Sequence, residues 1–138
     1  MNYIRAFIAG FISTLVFHQS VIWVFHYLGA FSRGPWNLAP VPPFNVPSVI
    51  SLAFWGGVWG ILLWPTLRIA KGASYWIRAI VLGAIGPTAV ALLVVIPVKT
   101  GVFPPGLDPK LMVGGLVVNG VWGLGLALLM TQLRKVGT

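Results

Sequence analysis

"AFIAGFISTLVFHQSVIWVFHYL" runs from Ala6 to Leu28 without one charged residue. At about 1.5 Å per residue, a helix of this length spans the roughly 30 Å hydrocarbon core of a bilayer. Its apolar residues surround the helix instead of lining one side. Such a helix is buried either in protein or in lipid.

The rest of the chain decides between the two. It has 138 residues, 58% hydrophobic and 7% charged, with a mean hydropathy of +0.95. An ordinary soluble domain carries roughly 25% charged residues. A chain this short cannot hide so much apolar surface in one water-soluble core, because small domains bury a modest share of their surface. Its solvent is therefore read as lipid. Three further stretches are long and apolar enough to span: Pro47–Leu67, Trp76–Pro97 and Leu111–Leu133. Backbone polar groups in hydrocarbon must be satisfied within each span, which selects helix. The expected fold is an all-α integral membrane protein, one four-helix transmembrane domain over residues 1–138.

The basic residues orient it. Arg5, Arg68, Lys71, Arg78, Arg134 and Lys135 fall on one side; Arg33, Lys99 and Lys110 fall on the other. The positive-inside rule then puts both termini and the middle loop in the cytoplasm, with the protein in the cell (inner) membrane. Interfacial aromatics agree: Tyr3, Trp64, Tyr75 and Trp76 on one side, Tyr27, Trp36 and Phe44 on the other. Arg5 before an apolar run resembles a signal peptide. The run is longer than an h-region and carries His18 and Gln19 in its middle, so it reads as a retained span. Net charge is +8, from nine Lys/Arg against a single acid, Asp108. The bases sit at the ends of apolar runs and not in a stripe among aromatics. This points to a bilayer with anionic lipids and not to nucleic acid. With no Cys there is no disulfide or thiolate chemistry.

The chain repeats itself. "VPPFNVP" (Val41–Pro47) matches "FPPGLDP" (Phe103–Pro109), and "GGVWGILL" (Gly56–Leu63) matches "NGVWGLGL" (Asn119–Leu126) after one inserted residue. "AGFI" (Ala9–Ile12) resembles "LGAI" (Leu82–Ile85). Two helical hairpins follow, repeat 1 over about 4–67 and repeat 2 over about 76–133. Each crosses twice, so the copies form a parallel repeat about an axis near the membrane normal. Each Pro-Pro corner ends an outer loop and starts a descending helix. Pro47 and Pro109 suit the first helical turn, where the missing N–H has no intrahelical partner. Asp108 suits the N-cap. The first outer loop, about 29–46, is expected to lie rigidly on the outer leaflet; the alternative is a cap over the bundle or a docking surface.

Polar and irregular residues gather at one depth: His18 and Gln19 in span 1, Gly56-Gly57 in span 2, Gly86-Pro87-Thr88 in span 3, Asn119-Gly120 in span 4. Polar groups in hydrocarbon are costly and face the bundle. Pro87 cannot donate to the Gly83 carbonyl, which predicts a kink and a free acceptor. His18, Gln19, Thr88 and Asn119 are therefore the candidate binding layer; the bland alternative is that they only bond helix to helix. Gly56, Gly60, Gly120 and Gly123 are candidate packing positions, with Ala6, Gly10 and Thr14 forming a similar small-residue face in span 1.

Catalytic motifs are lacking: no Ser-His-Asp set, no paired carboxylates, no phosphate-binding glycine loop and no zinc motif. His18 and His26 are about 12 Å apart along one helix and cannot clamp one haem iron. No cofactor or metal is expected; a bis-His haem would need another chain, and a lipid, quinone or pigment near Trp59 or Trp122 is the weakest option. The leading expectation is a non-enzymatic membrane protein, an accessory or assembly subunit that packs against itself or a larger complex. The alternative is a small-solute transporter or channel using the layer around His18 and Asn119.

Overall fold

Four helices carry most of the chain: α1 (Asn2–Tyr27), α2 (Ser48–Arg68), α3 (Ala73–Thr100) and α4 (Pro109–Val136). Each is long and apolar enough to cross a membrane. The computed structural model describes residues 1–102 and 107–136. The Pro104-Pro105 corner lies outside the described residues.

Helix starts follow local chemistry. Pro109 opens α4, and Asp108 caps it: its Oδ1 accepts the Lys110 N–H at 2.9 Å and its carbonyl accepts the Met112 N–H at 3.0 Å. Pro47 departs from expectation by one residue. It is the N-cap of α2, with φ −54° and ψ 137°, and not its first helical residue. The cause is pairing: strand β1 (Pro40–Val41) lies antiparallel to strand β2 (Val46–Pro47), with Pro40 opposite Pro47, and this holds Pro47 extended. The loop also satisfies the first N–H groups of α2, since Ser48 donates to the Ala39 carbonyl and Val49 to the Asn37 carbonyl, both at 2.9 Å.

α1 packs along α2, and α3 along α4; α1 and α4 join the two hairpins, while α2 and α3 touch less. Trp122, Leu126 and Met130 of α4 fill the centre with Ala6, Ala9, Leu63 and Ala79, all buried. Both hairpins close at glycines. A Cβ on Gly10 would strike the Gly56 carbonyl, and one on Gly60 would strike the Ala6 carbonyl. A Cβ on Gly83 would lie 3.1 Å from the Asn119 carbonyl oxygen and 2.9 Å from Gly123 Cα, and one on Gly123 would strike the Ala79 carbonyl. Only glycine permits backbones this near. Gly56 also faces the Thr14 hydroxyl. Gly120 differs: its Cβ would sit 3.5 Å from Ala84 Cβ, an ordinary contact.

This register fixes relative heights. With Ala6 beside Gly60 and Gly10 beside Gly56, Ser48 falls opposite His18. The segment Gln19–Tyr27 therefore projects about 13 Å past the start of α2, at ~1.5 Å per residue. The loop 28–47 folds down into that space. Phe31 packs on Gly114 of α4 and edge-on against Phe25, and the Phe31 carbonyl lies 2.9 Å from His26 Nδ1. The loop thus packs against α1 and α4, because α2 starts too low to flank the upper part of α1.

Candidate polar site at mid-helix

The four candidate side chains form two pairs. Asn119 Nδ2 donates to Thr88 Oγ1 at 2.9 Å, across α3 and α4. Thr88 is buried and Asn119 half-buried. Gln19 is buried in α1, with its Nε2 3.3 Å from His18 Nδ1. Among the described residues no hydrogen bond joins the two pairs.

Gln19 has a partner that sequence reasoning missed. Its Oε1 accepts the Trp36 backbone N–H at 2.8 Å. The Trp36 indole N–H reaches further down and donates to the Leu15 carbonyl at 2.9 Å. That carbonyl is available because α1 widens over Thr14–His18 into a π-helical turn. The Gln19 N–H bonds Thr14 and Val16 carbonyls, passing over Leu15, its usual partner four residues back. An acceptor left free in an apolar setting costs free energy unless it is met, and Trp36 meets it. The fold holds Trp36 itself at φ 48°, a conformation few non-glycine residues adopt. The one available hint was a Trp after Gly34-Pro35 in a loop, which equally suits an interfacial anchor.

α3 also carries a wide turn beyond Pro87. α3 stays α-helical through Pro87 to Val90 and widens over Ala91–Val95, two residues before Pro97. A proline ring crowds the carbonyl four residues back, here Leu93, and a wide turn relieves that crowding. Gly83 faces Gly123 and the Asn119 backbone, so the Asn119 side chain reaches Thr88 and not the Gly83 carbonyl.

The remaining candidates are engaged locally. The Trp122 indole N–H donates to the Gly10 carbonyl at 3.1 Å, and Ser13 Oγ donates to the Trp122 carbonyl at 2.7 Å, tying α1 to α4. The Trp59 ring packs on Gly86. His26 faces Phe31 and Gly34 near the loop end of α1, well above His18. Among the described residues no three His, Asp or Glu side chains converge as a metal set would require. No protein-family model, no curated protein and no solved structure matches the chain.

Proposed function

We propose that the chain is a non-enzymatic, multi-pass protein of the cell (inner) membrane, acting as an accessory or assembly subunit that packs against itself or a larger membrane complex. One observation carries this reading: the mid-helix polar side chains are engaged within the chain. Asn119 bonds Thr88, and Gln19 bonds Trp36, while the helices between them close to backbone contact at Gly10, Gly60, Gly83 and Gly123. An interior so filled leaves the outer helix faces as the working surface. Those faces carry large aromatics: Trp23 on α1 and Phe54 and Trp55 on α2 are about half exposed. In lipid, packing and not hydrophobic expulsion drives helix association, and broad aromatic side chains supply contact area for it.

The finer architecture belongs to the same proposal. The two hairpins are read as copies of one unit in parallel orientation. Supporting this, Ala6, Gly10, Gly56 and Gly60 occupy the crossing of the first hairpin as Ala79, Gly83, Asn119 and Gly123 occupy that of the second. The excess of bases at the end bearing both termini supports a cytoplasmic placement of Met1 and the C-terminus. Native mass measurement after gentle detergent extraction tests the function. A homo-oligomer or a stoichiometric co-purifying membrane protein is expected; a lone monomer overturns the reading.

The second reading is a transporter or channel at the same layer. Wide turns like that at Thr14–His18 often mark functional sites, which is the observation in its favour. Flux into proteoliposomes, compared with His18→Ala and Asn119→Ala, decides it. Equal flux in all three proteins, or none, removes it.

A further inference from the structure

Nine basic side chains face a single acid, and that acid, Asp108, caps the start of α4. The far end of α4, at Arg134, is about 39 Å away along the helix, at ~1.5 Å per residue. Asp108 is therefore out of reach of Lys71 and Arg134. These two bases converge on one groove of about 220 Å³, between the α2–α3 loop and the last turns of α4. Lys71 enters from the loop and Arg134 from α4; Gly72, Tyr75, Trp76 and Thr131 line the rest. The Arg134 guanidinium stands 5.8 Å from the centre of the Trp64 ring, a cation–π contact that positions it.

The hydrogen-bonding capacity of the groove is one-sided. Tyr75 Oη and Thr131 Oγ1 both donate to the Ala127 carbonyl, at 2.9 and 2.8 Å, so their protons are engaged. The charged donors that remain are the Lys71 ammonium and the Arg134 guanidinium, with the Trp76 side chain beside them. α3 starts at the same place, after Gly72 with φ 55° and no side-chain cap, so its first N–H groups add to the positive field. No Asp or Glu side chain lines the groove. We infer that the groove between Lys71 and Arg134 binds a phosphate group, with Arg134 contacting two of its oxygens and Lys71 supplying a point charge. Two sources offer that chemistry, an anionic phospholipid headgroup and a soluble phosphate ester. The lipid source rests on the membrane reading above, which places this end of the bundle among headgroups; the phosphate chemistry does not.

The experiment is native mass spectrometry of the detergent-solubilised full chain with phosphatidylglycerol, phosphatidylcholine or glycerol 3-phosphate added. The chain is expected to retain phosphatidylglycerol over phosphatidylcholine. Lys71→Gln with Arg134→Gln should lower that retention about tenfold, each base near a headgroup being worth roughly a fivefold factor at most. Lys71→Arg with Arg134→Lys should keep most of it. Arg5→Gln with Arg68→Gln removes equal charge from the same end and should leave it unchanged. Lys71 and Arg134 are exposed, so the variants should fold, which thermal melting followed by circular dichroism checks. Equal loss in the Arg5/Arg68 variant reduces the effect to surface charge and overturns the site, as does full retention in the Lys71/Arg134 variant. Glycerol 3-phosphate binding with the same variant dependence, without preference between the two lipids, keeps the site and assigns it to a soluble ester. Recovery of folded chain from buffer without detergent would remove the membrane reading, and the glycerol 3-phosphate arm would still decide the groove.

Discussion

In the α1–α2 hairpin, Gly10 meets the Gly56 backbone and Gly60 meets the Ala6 carbonyl; in the α3–α4 hairpin, Gly83 meets the Asn119 backbone and Gly123 meets the Ala79 carbonyl. The crossings agree at three of four positions; Asn119 stands where the first hairpin has Gly56. One turn further toward the loop end they part. The first hairpin sets the Thr14 hydroxyl against Gly56 and brings Trp36 down to Leu15 and Gln19. The second sets the Asn119 side chain against Thr88. The difference teaches where such a bundle is constrained. Where a Cβ would press on the partner backbone, at Gly10 and Gly60 and at Gly83 and Gly123, both hairpins have glycine. Beyond the crossing the helices diverge enough to admit side chains, and each hairpin fills the space in its own way.

The largest expected effect tests the likeness. Gly60→Ala and Gly123→Ala each drive a methyl into a carbonyl of the partner helix, of Ala6 and Ala79 respectively. Overpacking against backbone cannot be relieved by a rotamer change, so each should cost about 2–3 kcal/mol. Gly120→Ala adds a methyl at ordinary contact distance and should stay within about 0.5 kcal/mol, aided by alanine's helix preference. Unfolding in mixed micelles measures all three. A large cost at Gly60 with none at Gly123 would break the equivalence of the two crossings.

The next effect tests the contrast. Trp36→Phe keeps the ring but removes the N–H that satisfies Leu15. Leaving that acceptor unmet should cost about 1–2 kcal/mol. The loss should be local: hydrogen exchange across residues 28–47 should quicken roughly tenfold, while α3 and α4 exchange as before. Unchanged exchange in the loop would mean that the β1–β2 pairing alone holds it, and the two hairpins would differ less than the hydrogen bonds suggest.

Much of this was legible in the chain, and the rest was not, for reasons that can be named. The four helices follow from uninterrupted apolar length, which side-chain chemistry alone determines. The positions of His18, Gln19, Thr88 and Asn119 along their helices follow from counting, though Gly56 lies opposite Gly10, eight residues from His18. The pairing of these four side chains does not follow, because it depends on which way each side chain points around its axis. A wide turn with one extra residue rotates everything beyond it by about 100°. Two such turns, at Thr14–His18 and Ala91–Val95, lie among these residues. Small residues at a spacing of four marked Gly56 and Gly60, and a spacing of three marked Gly120 and Gly123, but Gly120 stands in ordinary contact, while Gly83 and Gly125 are pressed against α4 and α1. Trp36 was out of reach because loop composition says little about how far a loop folds back, which here depends on α2 starting opposite His18.

The smallest effect asks whether the two mid-helix fillings differ in kind. Thr88→Val keeps the shape of the side chain and removes the acceptor that Asn119 uses. A hydrogen bond between helices in lipid averages about 0.6 kcal/mol, so the loss should be near that value, and Asn119→Leu combined with it should add little more. Thr14→Val is the matched change in the first hairpin. Thr14 Oγ1 donates to the Gly10 carbonyl of its own helix at 3.0 Å, so no bond between helices disappears, and the cost should stay below that of Thr88→Val. Unfolding of the wild type, Thr88→Val, Asn119→Leu, their double variant and Thr14→Val under one set of micelle conditions completes the cycle. Equal costs at Thr14 and Thr88, with no coupling between Thr88 and Asn119, would show that both hydroxyls act only as small packing groups, and the Asn119–Thr88 pair would then be no more specialised than the Thr14–Gly56 contact it stands in place of.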